Sequence, residues 1–177
     1  MLCSICFFSS AANAKMSIVS PDFKDGETIS EANVFNGFGC TGKNFSPQII
    51  INDIPATAKS LALTMYDPDA PTGSGWWHWI VYNIPPTTKT IFSGDKKIAP
   101  WVSFGRNAVF GRNDFGTYNY GGPCPPVNHD KHHYTLTIYA LSVEKLDLPK
   151  DASAALIGYN INANVVDKAS ITAIYQR

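Results

Sequence analysis

Charge is scarce and balanced in this chain of 177 residues: 16% are Asp, Glu, Lys or Arg, and fourteen basic side chains against fourteen acidic ones leave a formal net charge of zero. That balance excludes a general electrostatic drive toward nucleic acid or an anionic membrane, so any anion site must be local. Cysteine is equally sparse, with four in all, and Cys3 and Cys6 fall within the first 14 residues. No stretch beyond that leader approaches the roughly 20 apolar residues of a membrane-spanning helix. Repeats, low-complexity tracts and linkers are missing. So are the Walker-type and Gly-x-Ser-x-Gly signatures, which removes the commonest sequence arguments for a nucleotide-binding loop or a serine hydrolase.

What is present reads as β structure. Hydrophobic residues make up 45% of the chain, enough to bury one core and short for two domains. Gly, Pro, Asn and Asp punctuate short β-prone runs at 48–52, 60–66, 77–84, 134–142 and 170–175. One helix is predicted from Asp151 to about Lys168, capped by Asp151 or Ser153, with Leu156, Tyr159, Ala163 and Val166 near one face. The expected architecture is mainly β (α+β): antiparallel strands with a few peripheral helices.

Residues 1–14 carry no charge and end in Ala12-Asn13-Ala14, the small-x-small pattern of a signal-peptidase site. The expectation is a signal peptide cleaved after Ala14, an exported domain over 15–177, and a periplasmic or secreted location. A basic n-region is missing, which leaves open a truncated start, or an apolar tail on a cytoplasmic protein. Export would leave Cys40 and Cys124 in an oxidising compartment, where they would pair; the alternative is two buried thiols. Closing that loop would stabilise the fold by about 4–5 kcal/mol on the chain-entropy account.

Two constellations carry chemistry. The first, Asp67-Pro-Asp-Ala-Pro-Thr-Gly-Ser-Gly-Trp-Trp-His78-Trp79, sits between two strand-like runs. Pro68 and Pro71 stiffen it, and Gly73 and Gly75 allow a tight return. It reads either as a pocket edge or as a turn whose Asp side chains cap local donors. The second runs from Gly111-Arg-Asn-Asp-Phe-Gly116 through Tyr120-Gly-Gly-Pro-Cys-Pro-Pro126 to His129-Asp-Lys-His132-His133-Tyr134. Gly121 and Gly122 would let backbone N–H groups approach an anion closely, and His132 and Tyr134 share one strand face by the period of two. A glycine turn followed by two partly exposed side chains fits the same residues. His129, His132, His133 and Asp130 also raise zinc, but only the His129–His132 and His129–His133 spacings suit a ligand pair, so no metal is assigned.

In that order, Asp67-Pro-Asp-Ala-Pro71, Trp76-Trp-His78-Trp79, Gly122-Pro-Cys-Pro-Pro126 and His132-His-Tyr134 resemble the signature of the phosphatidylethanolamine-binding protein (PEBP) family, the Raf kinase inhibitor-like proteins. Phe38-Gly-Cys40, Asn44-Phe-Ser-Pro47, Gly111-Arg-Asn-Asp-Phe-Gly116 and Leu156-Ile-Gly-Tyr159 are similar to its bacterial YbhB/YbcL-like branch. The resemblance implies a large central antiparallel sheet packed on a smaller one, with peripheral helices including a C-terminal one, and an anion pocket at one end of the strands. It places pocket residues at Asp67, Asp69, Pro71, His78, Gly121, Gly122, Pro126, His132 and Tyr134. Glycine amides and His78 would bind phosphate-like oxygens, Asp67 would orient an imidazole or receive an amine, and Tyr134 would add a hydrogen bond. The Pro71–Trp76 loop is shorter than in eukaryotic relatives, and Cys124 interrupts their Gly-Pro-Pro run.

The implied function is non-enzymatic, with no catalytic residues and no cofactor: binding of a small phosphate- or carboxylate-bearing head group or a modified peptide, and modulation of a partner in the cell envelope. The alternative is an inhibitor of a protease or kinase acting through its surface, and behind it a hydrolase. Expected partners are a small anion and an unidentified protein, with a homodimer as a further admissible assembly. Nucleic acid and an integral membrane segment are excluded.

Overall fold

The computed structural model describes residues 14–96 and 98–177; the expected leader lies outside the described residues except for Ala14. In chain order the elements are β1 (Ser17–Val19), β2 (Asn36–Gly37), β3 (Cys40–Thr41), β4 (Ile49–Asn52), β5 (Ser60–Asp67), β6 (Trp76–Ile84) and β7 (Thr90–Ile91). A single 3-10 turn, Gly94–Lys96, leads to α1 (Pro100–Phe104), β8 (Val109–Phe110), β9 (His132–Leu141), α2 (Ala154–Asn164) and β10 (Val165–Tyr175). The chain is therefore mostly β, as expected.

β5, β6 and β9 are breaker-free, β6 and β9 are rich in β-branched and aromatic residues, and the three form the centre of a five-stranded antiparallel sheet in the order β10-β9-β5-β6-β8. A three-stranded sheet, β1-β4-β7, and the β2-β3 hairpin lie beside it, and Thr28 forms an isolated parallel bridge with Ile174 of β10. Alternation along the central strands sends Leu61, Leu63, Met65, Val81, Leu136 and Ile138 toward Ile18, Ile49, Ile51 and Ile91 of the smaller sheet. The opposite face sends Ala62, Ile80, Tyr82 and Leu141 against Ile157 and Ile161 of α2. Both faces of β5 are thus covered, and each fully buried large apolar side chain contributes roughly 1.5–3 kcal/mol relative to exposure.

The helix departs from the sequence reading in length and face. Ser153 caps it, its hydroxyl accepting from the Leu156 N–H, but it ends at Asn164, and Val165 begins β10 directly. Two β-branched residues, Val165 and Val166, favour extension, and pairing along β9 down to Tyr175 opposite His132 decides the matter. Its buried face is Ala154, Ile157, Gly158 and Ile161, whereas Leu156 and Tyr159 are exposed.

Candidate functional site

β5 runs antiparallel to both β6 and β9, so its C-terminal end meets the starts of both neighbours, with Asp67 opposite Trp76 and Tyr66 opposite Trp77 and Thr135. That geometry joins the two sequence constellations. Between the Tyr66–Trp77 and Met65–Trp79 pairs the register shifts, leaving His78 as the extra residue of a β-bulge. A bulge re-aims a side chain. His78 and Trp79, neighbours in sequence, consequently both serve the same side of the sheet: His78 lines a cavity and Trp79 joins the core beneath it, while Ile80 packs under α2.

Asp67 is buried and uses both carboxylate oxygens. Oδ1 accepts from the Asp69 N–H at 2.8 Å, and Oδ2 is 2.7 Å from Nδ1 of His132, which is equally buried. One oxygen thus serves the local turn and the other a distant imidazole. Asp69 is directed elsewhere: its Oδ2 accepts from the N–H and faces Nδ1 of His133, on the exposed side of β9. Burial pushes the Asp69 carboxyl up, but the His133 hydrogen bonds outweigh it and hold it below the usual carboxylate range.

His78 donates from Nδ1 to the Gly121 carbonyl at 2.7 Å, because a carbonyl can only accept. Burial lowers its pKa to about 4, the Gly121 hydrogen bond and the Asp67 charge opposing only in part. Tyr134 stands edge-on to the His78 ring, with centroids 5.1 Å apart. Among the described residues its buried hydroxyl has no hydrogen-bond partner, and the same is true of Trp76 Nε1. Burial, then the Asp67 charge, pushes the Tyr134 phenol far up, so it stays a donor.

The glycine turn does something other than expected. The Gly121 N–H donates to the His78 carbonyl at 3.0 Å and the Gly122 N–H to Asn44 Oδ1 at 2.8 Å, so neither amide is left for an anion. Glycine is required for packing instead. A Cβ on Gly121 would sit 2.5 Å from the Phe115 ring, and one on Gly122 would sit 2.1 Å from the Asn33 carbonyl oxygen. The surrounding motif residues hold this wall in place. Asn44 Nδ2 donates to the Tyr120 carbonyl, Asn113 Nδ2 donates to the carbonyls of His78 and Asn119, and Asp114 accepts from the Trp77 N–H at 2.7 Å.

Together these elements enclose a cavity of about 170 Å3 lined by Asp67, Pro71, His78, Pro126, His132 and Tyr134, with Phe38, Ala70, Thr72, Trp76, Phe115, Cys124 and Pro125. Of the expected pocket residues, Asp69, Gly121 and Gly122 do not line it. Trp76 escaped notice as a donor, although it lies two residues before His78 on the same pleat. The cavity is smaller than the several hundred Å3 of a drug-sized site. Cys40 and Cys124 form a disulfide with Cα atoms 6.0 Å apart, so one pocket wall is covalently tied to β3. His129 and His132 have ring centroids 5.7 Å apart, but among the described residues no three His, Cys, Asp or Glu side chains converge as a metal site.

The family model described as Phosphatidylethanolamine-binding protein matches residues 19–176. The chain belongs to that family. It is 45% identical to the UPF0098 protein YbcL of Escherichia coli (strain K12), over 94% of this chain and 91% of YbcL. To YbhB of the same organism it is 41% identical, over 90% of this chain and 99% of YbhB. The crystal structure of E. coli YbcL, described as a new member of the mammalian PEBP family, superposes with a TM-score of 0.85 at 43% identity, covering 93% of this chain and 99% of that one. The PEBP homolog CT736 of Chlamydia trachomatis gives a TM-score of 0.76 at 29% identity, over 94% and 99% of the two chains. Within this PEBP domain, motif residues such as Asn44, Asn113 and Asp114 act as braces of the cavity rather than as its lining.

Proposed function

We propose that the protein binds a small phosphate- or carboxylate-bearing head group, free or on a modified peptide, without chemical turnover, and that binding modulates a partner protein in the cell envelope. One observation carries the reading: two buried donors without partners among the described residues, Tyr134 O–H and Trp76 Nε1–H, are carried by side chains that line a small cavity together with the buried His78. A buried donor left unsatisfied costs about 1–3 kcal/mol, which an oxyanion accepting from both would recover. Family membership supports the binding role in general terms.

The side chains around the cavity are committed to positioning rather than to attack. Thr72 donates its hydroxyl to the Gly75 carbonyl, Cys124 is bonded to Cys40, and Asp67 already serves two donors. Export is supported by the Ala12-Asn13-Ala14 pattern together with the disulfide, which suits an oxidising compartment. Calorimetry and ligand-observed NMR with inorganic phosphate and phosphoethanolamine are expected to show binding that Tyr134→Phe weakens and His78→Ala abolishes. Unchanged binding in both folded variants rejects the pocket. A pull-down from an envelope fraction, repeated with these variants, separates a pocket-dependent partner from one held by the outer surface.

A further inference from the structure

The polar atoms of the cavity are of two kinds. Tyr134 and Trp76 carry donor hydrogens with no partner among the described residues. His78 presents the opposite: its Nδ1 hydrogen is fixed by the Gly121 carbonyl, so the neutral ring has only a lone pair left, on Nε2. The charged and titratable groups around that ring are Asp67 at the end of β5 and His132 and Tyr134 on β9, with the Gly121–Gly122 backbone on the loop side and the Phe115 ring edge-on. The Gly121 hydrogen bond, the Asp67 charge and the Gly122 backbone all draw a proton toward His78, but burial outweighs them, holding the ring neutral down to about pH 4.

A fully ionised oxyanion would bring a lone pair against the Nε2 lone pair and further negative charge toward Asp67. An oxyanion that keeps one O–H meets neither objection. Building on the pocket reading proposed above, we infer that this pocket selects the singly protonated form of a tetrahedral oxyanion, a phosphate or phosphomonoester monoanion. Its P–OH donates to His78 Nε2 while its ionised oxygens accept from Tyr134 and Trp76. Sulfate has the same shape and two acceptor oxygens to spare, but no hydrogen to give at neutral pH. A site built around a ligand hydroxyl rejects the analogue that lacks it, because its own buried acceptor is left unpaired. Acetate ranks with sulfate for the same reason.

The test is titration calorimetry of the wild-type protein with inorganic phosphate and with sulfate, at matched ionic strength, at about pH 6 and about pH 8, on either side of the phosphate transition to the dianion. Phosphate is expected to bind about tenfold or more tightly than sulfate at the lower pH, and its advantage to shrink at the higher pH while sulfate stays weak. Equal affinities, or phosphate affinity that rises with pH, overturn the inference and leave the anion pocket standing. Failure of both anions to bind overturns the pocket reading itself. His78→Gln, whose amide can donate where the imidazole accepts, is expected to bring the two affinities together. If that variant does not fold, the wild-type ratio and its pH dependence decide the question alone.

Discussion

Asp67 and His132 lie 65 residues apart in sequence, yet Asp67 Oδ2 and His132 Nδ1 meet at 2.7 Å, with the two side chains only 4% and 3% exposed. The pair joins the end of β5 to the start of β9 at the floor of the cavity. Removing one partner of a buried hydrogen-bonded pair leaves the other unsatisfied, at a cost of about 3–5 kcal/mol. Asp67→Ala should therefore lower urea stability by about that much. Asp67→Asn keeps one acceptor oxygen for the two donors that Asp67 now serves, so its loss should be nearer 1–3 kcal/mol. Equal stability of Asp67→Ala and wild type would mean that the pair contributes nothing.

His78 makes acid stability a direct readout of the site. Its pKa lies below the ordinary 6.5, at about 4, because burial penalises the charged ring. Between those values the unfolded chain takes up a proton that the folded chain refuses, so stability is full above about pH 6.5 and falls as pH drops toward about 4. The integrated loss attributable to this ring is roughly 3 kcal/mol. Urea denaturation across that range should show a shallower decline in His78→Gln than in wild type. Parallel declines would place His78 in a solvated environment.

How much of this was legible in the sequence depended on local periodicity. The central strands were readable because Pro, Gly and Asn bound runs such as Ser60–Tyr66 and Trp77–Ile84. The α2 face was misread because Ala154 and Gly158 are small and drew no notice, although Ala154, Ile157, Gly158 and Ile161 follow the i, i+3, i+4, i+7 spacing of a buried stripe. The end of α2 could not be read locally, since Val165–Lys168 become strand by pairing with β9. In the site, residue types were readable and hydrogen-bond assignments were not. Gly121 and Gly122 look like anion donors until His78 and Asn44 arrive from distant segments to accept their hydrogens. The bulge at His78 depends on register, which residue spacing does not encode.

The Cys40–Cys124 bridge spans 84 residues and ties the pocket wall at Cys124 to β3. On the chain-entropy account it stabilises the fold by about 4–5 kcal/mol, with native disulfides in practice nearer 2–5. Cys40→Ser with Cys124→Ser should lower stability within that range and also weaken phosphate binding, because Cys124 and Phe38 both border the cavity. Alkylation and mass spectrometry of unreduced protein should leave both cysteines unlabelled. Two labelled thiols in the folded wild type would contradict the bridge.

Glycine substitutions separate packing from backbone strain. A Cβ at Gly122 would lie 2.1 Å from the Asn33 carbonyl oxygen and 2.7 Å from the Phe35 nitrogen, both backbone atoms with little freedom to retreat. Gly122→Ala must therefore displace the 33–35 segment or the Gly121–Pro126 wall, and should cost about 3 kcal/mol or more, with loss of phosphate binding. Gly73 is the control. It has φ +76° but nothing within 4 Å of its Cβ position, so Gly73→Ala should cost only the left-handed strain of about 1–2 kcal/mol. Binding should survive there, because the Gly73 tip does not line the cavity. A Gly122→Ala variant as stable as Gly73→Ala would show that the wall gives way.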